Sequence, residues 1–62
     1  MELVFDNQSK EIEFVGSVSS LLRDLKVMRE EVVVKVNGKL APETKKLDSK
    51  DKVEIIKVIF GG

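Results

Sequence analysis

The chain has 62 residues, a mass of 7.0 kDa, and eleven Lys and Arg against eleven Asp and Glu, for a formal net charge of zero. That length fits one small domain, and the charge balance argues against a strongly basic nucleic-acid binder. With no Cys and no His, the chain lacks disulfides, thiolate nucleophiles, most zinc sites and the commonest general acid/base. No apolar run approaches the roughly 20 residues needed to cross a bilayer, and Glu2 follows Met1 with no basic n-region and long apolar h-region. One compact cytoplasmic domain over residues 1–62 is expected. It has no catalytic residues of its own and no metal or stably bound cofactor.

The elements follow in chain order. Met1, Leu3 and Phe5 alternate with Glu2, Val4 and Asp6, the period-2 pattern of a half-buried strand. Asp6-Asn7-Gln8-Ser9 supplies turn chemistry. Lys10, Ile12 and Phe14 then alternate with Glu11, Glu13 and Val15, predicting the second arm of an antiparallel hairpin with Ile12 and Phe14 on the covered face. Gly16-Ser17 breaks the pattern, and Ser17 is a candidate helix N-cap. Val18, Leu21, Leu22 and Leu25 fall at i, i+3, i+4 and i+7, one apolar stripe predicting a helix over residues 18–26 that covers the hairpin.

Val32-Val33-Val34-Lys35-Val36 is β-branched almost throughout and predicts a strand with Val32, Val34 and Val36 inward. Asn37-Gly38 is a strong hairpin-turn signal. The return segment Lys39-Leu40-Ala41 is cut short by Pro42, which cannot donate to a ladder. Residues 43–51 are polar, with Leu47 as a plug under a loop. Residues 52–59 predict the last strand, apolar on both faces and therefore central. Two strands, a helix, a strand, a short strand and a final central strand give an α+β fold: a β-grasp (ubiquitin-like) roll. Its mixed sheet has four to five strands and one helix packed across one face. The last strand would lie beside the first and parallel to it.

The chain closes on Ile59-Phe60-Gly61-Gly62. Glycine costs ordering entropy, and two in succession after a strand predict a flexible tail over residues 60–62. Val4, Val33, Ile56 and Val58 would share the sheet face away from the helix, with Phe60 at its rim. Such an exposed apolar patch suits a partner; the alternative is that these residues pack under the loop of residues 39–51. Charge is uneven. Residues 1–31 hold four bases and seven acids, and residues 32–62 hold seven bases and four acids. Lys45, Lys46, Lys50 and Lys52 cluster around one loop, which reads as a solvated loop. A nucleic-acid contact is not expected, because no aromatic is interleaved to stack bases.

Residues 33–62, with Val36-Asn37-Gly38, Pro42, Asp51-Lys52-Val53-Glu54-Ile55 and the Gly61-Gly62 end, resemble the ThiS/MoaD ubiquitin-like proteins. Within them the likeness is to the small archaeal modifier proteins and short ThiS-like sulfur carriers. Ser17-Val18 through Leu21-Leu22 match the helix start as well. Phe60 departs from the small or β-branched residue of many relatives, and Lys52 after Asp51 changes a loop charge. The resemblance implies that a separate adenylating enzyme, using Mg-ATP, activates the Gly62 carboxylate. A sulfur donor then converts it to a thiocarboxylate for thiamin, molybdopterin or tRNA thiolation. An alternative it implies is conjugation of Gly62 to target lysines; a third is a plain β-grasp binding module. The implied partners are the adenylating enzyme, docked on Val4, Val33, Ile56, Val58 and Phe60, the sulfur donor, and an acceptor enzyme or target protein. No membrane partner is implied.

Overall fold

The computed structural model describes residues 1–58. Along the chain come β1 (Glu2–Phe5), β2 (Gln8–Glu11), β3 (Gly16–Ser17) and α1 (Val18–Asp24). A 3₁₀ turn (Arg29–Glu31), β4 (Val32–Val36), β5 (Lys39–Leu40), β6 (Lys46–Leu47) and β7 (Lys52–Lys57) follow. The main sheet has the order β2-β1-β7-β4-β5, and β3 pairs with β6 in a two-stranded ribbon. β7 runs parallel to β1, with Leu3 opposite Val53 and Phe5 opposite Ile55. It runs antiparallel to β4. This is the β-grasp roll expected from the sequence, with five strands in the mixed sheet and the last strand in the middle.

Both hairpins turn on two residues. Asp6 and Asn7 have φ of 55° and 61°, and Asn37 and Gly38 have 54° and 84°. Positive φ at both central positions twists a tight turn in the sense that adjoining strands require. The first turn is therefore Asp6-Asn7 alone, and Gln8 and Ser9 belong to β2 rather than to the turn. β2 is also shorter than the alternation over residues 10–15 suggested. Every β2 residue is exposed, so nothing imposes an apolar period on it. Ile12 and Phe14 lie beyond its end but still pack against the core. The ladder is prolonged there, as Ile12 N–H donates to the Met1 carbonyl at 2.9 Å and the Met1 ammonium donates to the Glu11 carboxylate and the Ile12 carbonyl, each at 3.0 Å.

The core forms between α1 and one face of the sheet. Met1, Leu3, Val34, Val36, Val53 and Ile55 come from the sheet, and Val18, Leu21 and Leu22 from the helix. Leu25, Val27 and Val32 pack at its margin. Ser17 caps α1, its Oγ accepting from the Ser20 N–H at 3.3 Å. Two further helix-start N–H groups are satisfied from the loop: Val18 donates to the Lys45 carbonyl and Ser19 to that of Glu43, both at 2.9 Å.

α1 ends at Asp24, two residues before the expected end. Lys26 takes φ +59°, its N–H reaches the Arg23 carbonyl at 3.0 Å, and the Val27 N–H reaches that of Leu22 at 2.9 Å. This is the paired closure that usually employs glycine; here a lysine, a good helix former, occupies the left-handed position. Leu47 is buried as expected, but as part of β6 rather than as a loop plug. β6 is held by β3, where Gly16 has φ +153° and its α-carbon faces the Phe14 ring. The last strand ends at Lys57. Its expected continuation to Ile59, and the tail over residues 60–62, lie outside the described residues.

Candidate docking face and the base of the C-terminal tail

Strand register decides which side chains share the face opposite α1. Pairing of Val33 with Ile56, of Lys35 with Glu54 and of Lys35 with Leu40 puts these five on one side. Val4 joins them opposite Glu54. Alternation along the chain places Val58 with Ile56 and Glu54. Val4, Val33 and Val58 are half-buried, and Ile56 is 43% exposed. The register thus brings Val4, Val33, Ile56 and Val58 to the same side of the sheet. Phe60, Gly61 and Gly62 lie outside the described residues.

Leu40 belongs to this face although it did not stand out in the sequence. It is 71% exposed and lies across β4 from Glu54. The signal that would have found it is the two-residue Asn37-Gly38 turn, which pairs Val36 with Lys39 and hence Lys35 with Leu40.

The face is graded. Toward the C-terminal end of β7 it is apolar, with Ile56 and Val33 paired and Val58 beyond. The next row reads Val4, Glu54, Lys35, Leu40 across four strands. The row after that carries Glu11, Glu2 and Lys52. There the Ser9 hydroxyl also donates to the Glu2 carboxylate at 2.9 Å.

A backbone clamp fixes where the chain leaves this face. The Val58 N–H donates to the Glu31 carbonyl at 2.8 Å, one residue past the end of β7. Glu31 ends the 3₁₀ turn, whose Arg29 is ion-paired with Glu43 at 2.6 Å. Four residues follow Val58 in the sequence, and four residues span at most about 14 Å.

At the other end of β7, polar contacts tie the β4–β5 turn to the strand's start. The Asn37 amide donates to the Asp51 carboxylate at 2.9 Å, and the Asn37 side-chain oxygen accepts the Lys52 N–H at 3.0 Å. The second Asp51 oxygen takes the Asp48 N–H at 2.9 Å. The Asn37 bond, then the Asp48 N–H, hold the Asp51 carboxyl below its ordinary 3.8. Lys45, Lys46, Lys50 and Lys52 are all exposed around this end. Lys57, on the helix side of β7, lies 5.7 Å from the centre of the Phe5 ring.

Among the described residues, no group of three or more His, Cys, Asp or Glu is placed to hold a metal ion. No described helix is long and apolar enough to cross a membrane. What the arrangement offers is a part-apolar sheet face with Val58 clamped beside it.

A roll of this topology, with its last strand central and a glycine pair in the sequence just beyond, is the architecture of small ubiquitin-like proteins. The sequence profile of the ThiS family matches residues 1–62, and the chain belongs to that family. Among solved structures, it is similar to a thiamine biosynthesis protein (ThiS) from Geobacter metallireducens. The two are 26% identical with a TM-score of 0.68, over 100% of both chains. Comparison with curated proteins gives no match.

Proposed function

We propose that this protein is a ubiquitin-like sulfur carrier whose Gly62 carboxylate is the working group, and that it serves thiamine biosynthesis. Membership of the ThiS family and likeness to a ThiS thiamine biosynthesis protein support the pathway. The observation that carries the mechanism is the central strand β7, clamped at Val58 beside a part-apolar face, with Gly61 and Gly62 following in the sequence.

A carboxylate is an anion at neutral pH, with an α-carboxyl pKa of about 3.3–3.7, and resists nucleophilic attack. A separate adenylating enzyme docks on Val4, Val33, Ile56, Val58 and Phe60 and binds Mg-ATP. A Gly62 carboxylate oxygen attacks the α-phosphorus, and pyrophosphate leaves. Sulfide, or a donor at the same oxidation level, then attacks the acyl carbon and expels AMP, leaving a thiocarboxylate. Gly61 and Gly62 admit the bare backbone to a narrow channel without side-chain clash. The protein is thus the substrate and carrier, and the catalyst is its partner.

The experiment is intact mass spectrometry after incubation with the host's ThiS-adenylating enzyme, Mg-ATP and sulfide. Exchange of one terminal oxygen for sulfur is expected, and deletion of Gly62 abolishes it while leaving the circular dichroism spectrum unchanged. Adenylation of the form lacking Gly62, or no activation of the intact protein, overturns the reading. Gly-Gly remnants on lysines of other host proteins, with no thiocarboxylate, would instead make the chain a protein modifier. Transfer of the sulfur to a molybdopterin or tRNA acceptor and not to a thiazole would reassign the pathway.

A further inference from the structure

Lys35 and Glu54 occupy an unusual position for opposite charges. They are directly opposed across β4 and β7, both half-buried, and flanked in their row by Val4 on one side and Leu40 on the other. Cross-strand neighbours of this kind have β-carbons about 5 Å apart, close enough for an ion pair. Yet the ion pairs among the described residues are Met1 with Glu11 and Arg29 with Glu43. Neither Lys35 nor Glu54 makes a side-chain hydrogen bond to another described residue. Two opposite charges, unpaired among the described residues, thus stand in one row between Val4 and Leu40 on the part-apolar face.

We infer that Glu54 and Lys35 are the orienting pair of the docking face. The adenylating partner sets a basic side chain against Glu54 and a carboxylate against Lys35, while an apolar pocket beyond receives Leu40. The inference rests on the proposed docking and adds what selects and aligns the partner. An apolar patch alone is indifferent to rotation about its normal. A charge doublet lying across the strands admits one orientation and repels its reverse. That matters here because the four residues after Val58 reach at most about 14 Å. A partner docked in the wrong orientation would hold its nucleotide out of reach of Gly62.

The competing role is structural, an ordinary cross-strand charge pair that supports the sheet. A charge exchange separates the two. The neutral variants Glu54→Gln and Lys35→Gln should each raise the KM for the carrier about tenfold in ATP–pyrophosphate exchange with the adenylating enzyme, with kcat unchanged. The double variant Lys35→Glu/Glu54→Lys restores opposite charges across the strands with polarity reversed. It should melt within about 2 °C of the wild type and bind no better than the single variants. Recovery of the wild-type KM by the exchanged pair would show a structural role and overturn the inference while leaving the proposed function standing. Failure of the enzyme to activate the wild-type chain would overturn both.

Discussion

Ile55 and Ile56 are the same residue at consecutive positions of one strand, and the sheet gives them opposite fates. Ile55 faces α1 and is 4% exposed; Ile56 faces away and is 43% exposed. Ile55 sits among Leu3, Leu21 and Val34 in the core, whereas Ile56 shares its side of the sheet with Val33, Glu54 and Lys35. One face is covered by the chain's own helix and the other is left open among the described residues. Hydrophobicity in this strand therefore serves two ends, and only the tertiary context separates them.

The sharpest way to break this contrast is truncation of each isoleucine. Ile55→Ala should cost about 2–5 kcal/mol, the usual loss for a core aliphatic, read as a lower urea midpoint. For a domain with about 5 kcal/mol in hand, that leaves much of it unfolded. Ile56→Ala should change stability by less than about 0.5 kcal/mol while weakening capture by the adenylating enzyme. A large stability loss from Ile56→Ala would mean that the open face is core after all.

Next in size is Gly16, at the margin of the covered side. A β-carbon there would lie 3.1 Å from the Phe14 Cζ atom, on a backbone with φ +153°. Gly16→Ala should destabilise by about 1–3 kcal/mol, and the small β3–β6 ribbon should lose hydrogen-exchange protection before the main sheet does.

A smaller effect, of opposite sign, is expected where the covering helix stops. Lys26 bears a left-handed backbone, so Lys26→Gly should stabilise by about 1 kcal/mol, seen as a rise in melting temperature.

The smallest effect concerns pH. Asp51 has its carboxyl lowered first by the Asn37 amide and then by the Asp48 N–H. Its stabilisation is therefore fully present above the ordinary value of 3.8 and is lost as pH falls through the lowered one. The difference in melting temperature between wild type and Asp51→Asn should hold constant from neutrality down to about pH 5 and shrink below pH 4. A difference that grew on acidification would contradict the Asn37–Asp51 contact.

Much of this architecture is legible in the residues. Leu21 and Leu22, the valine run and the Asn-Gly turn fix the helix, β4 and the hairpin, because each burial face imposes its own period. Where no face is covered, the pattern vanishes. β2 is exposed along its whole length, so Gln8 and Ser9 read as turn. The β3–β6 ribbon consists of two-residue strands, too short to show any alternation. The end of α1 was hidden because Lys26 is a helix former held in a left-handed conformation by two backbone hydrogen bonds. The open face was half visible: Val4, Val33, Ile56 and Val58 follow from alternation. Lys35 and Glu54 follow from the same alternation and Leu40 from the Asn37-Gly38 turn, but the opposition of Lys35 to Glu54 comes only through register between strands distant in sequence.

The placement of β7 has a consequence for how the molecule is made. The strand that splits the sheet down its middle is the last of the described strands to leave the ribosome, so β1 and β4 have no common neighbour until residues 52–57 are made. A product cut short before residue 53 lacks Val53 and Ile55 and cannot consolidate, and pairing across the full chain length is a slow, non-local event. Any molecule that folds has consequently been synthesised through β7. Assembly of the body thus screens out copies terminated before β7, which would also lack Gly61 and Gly62.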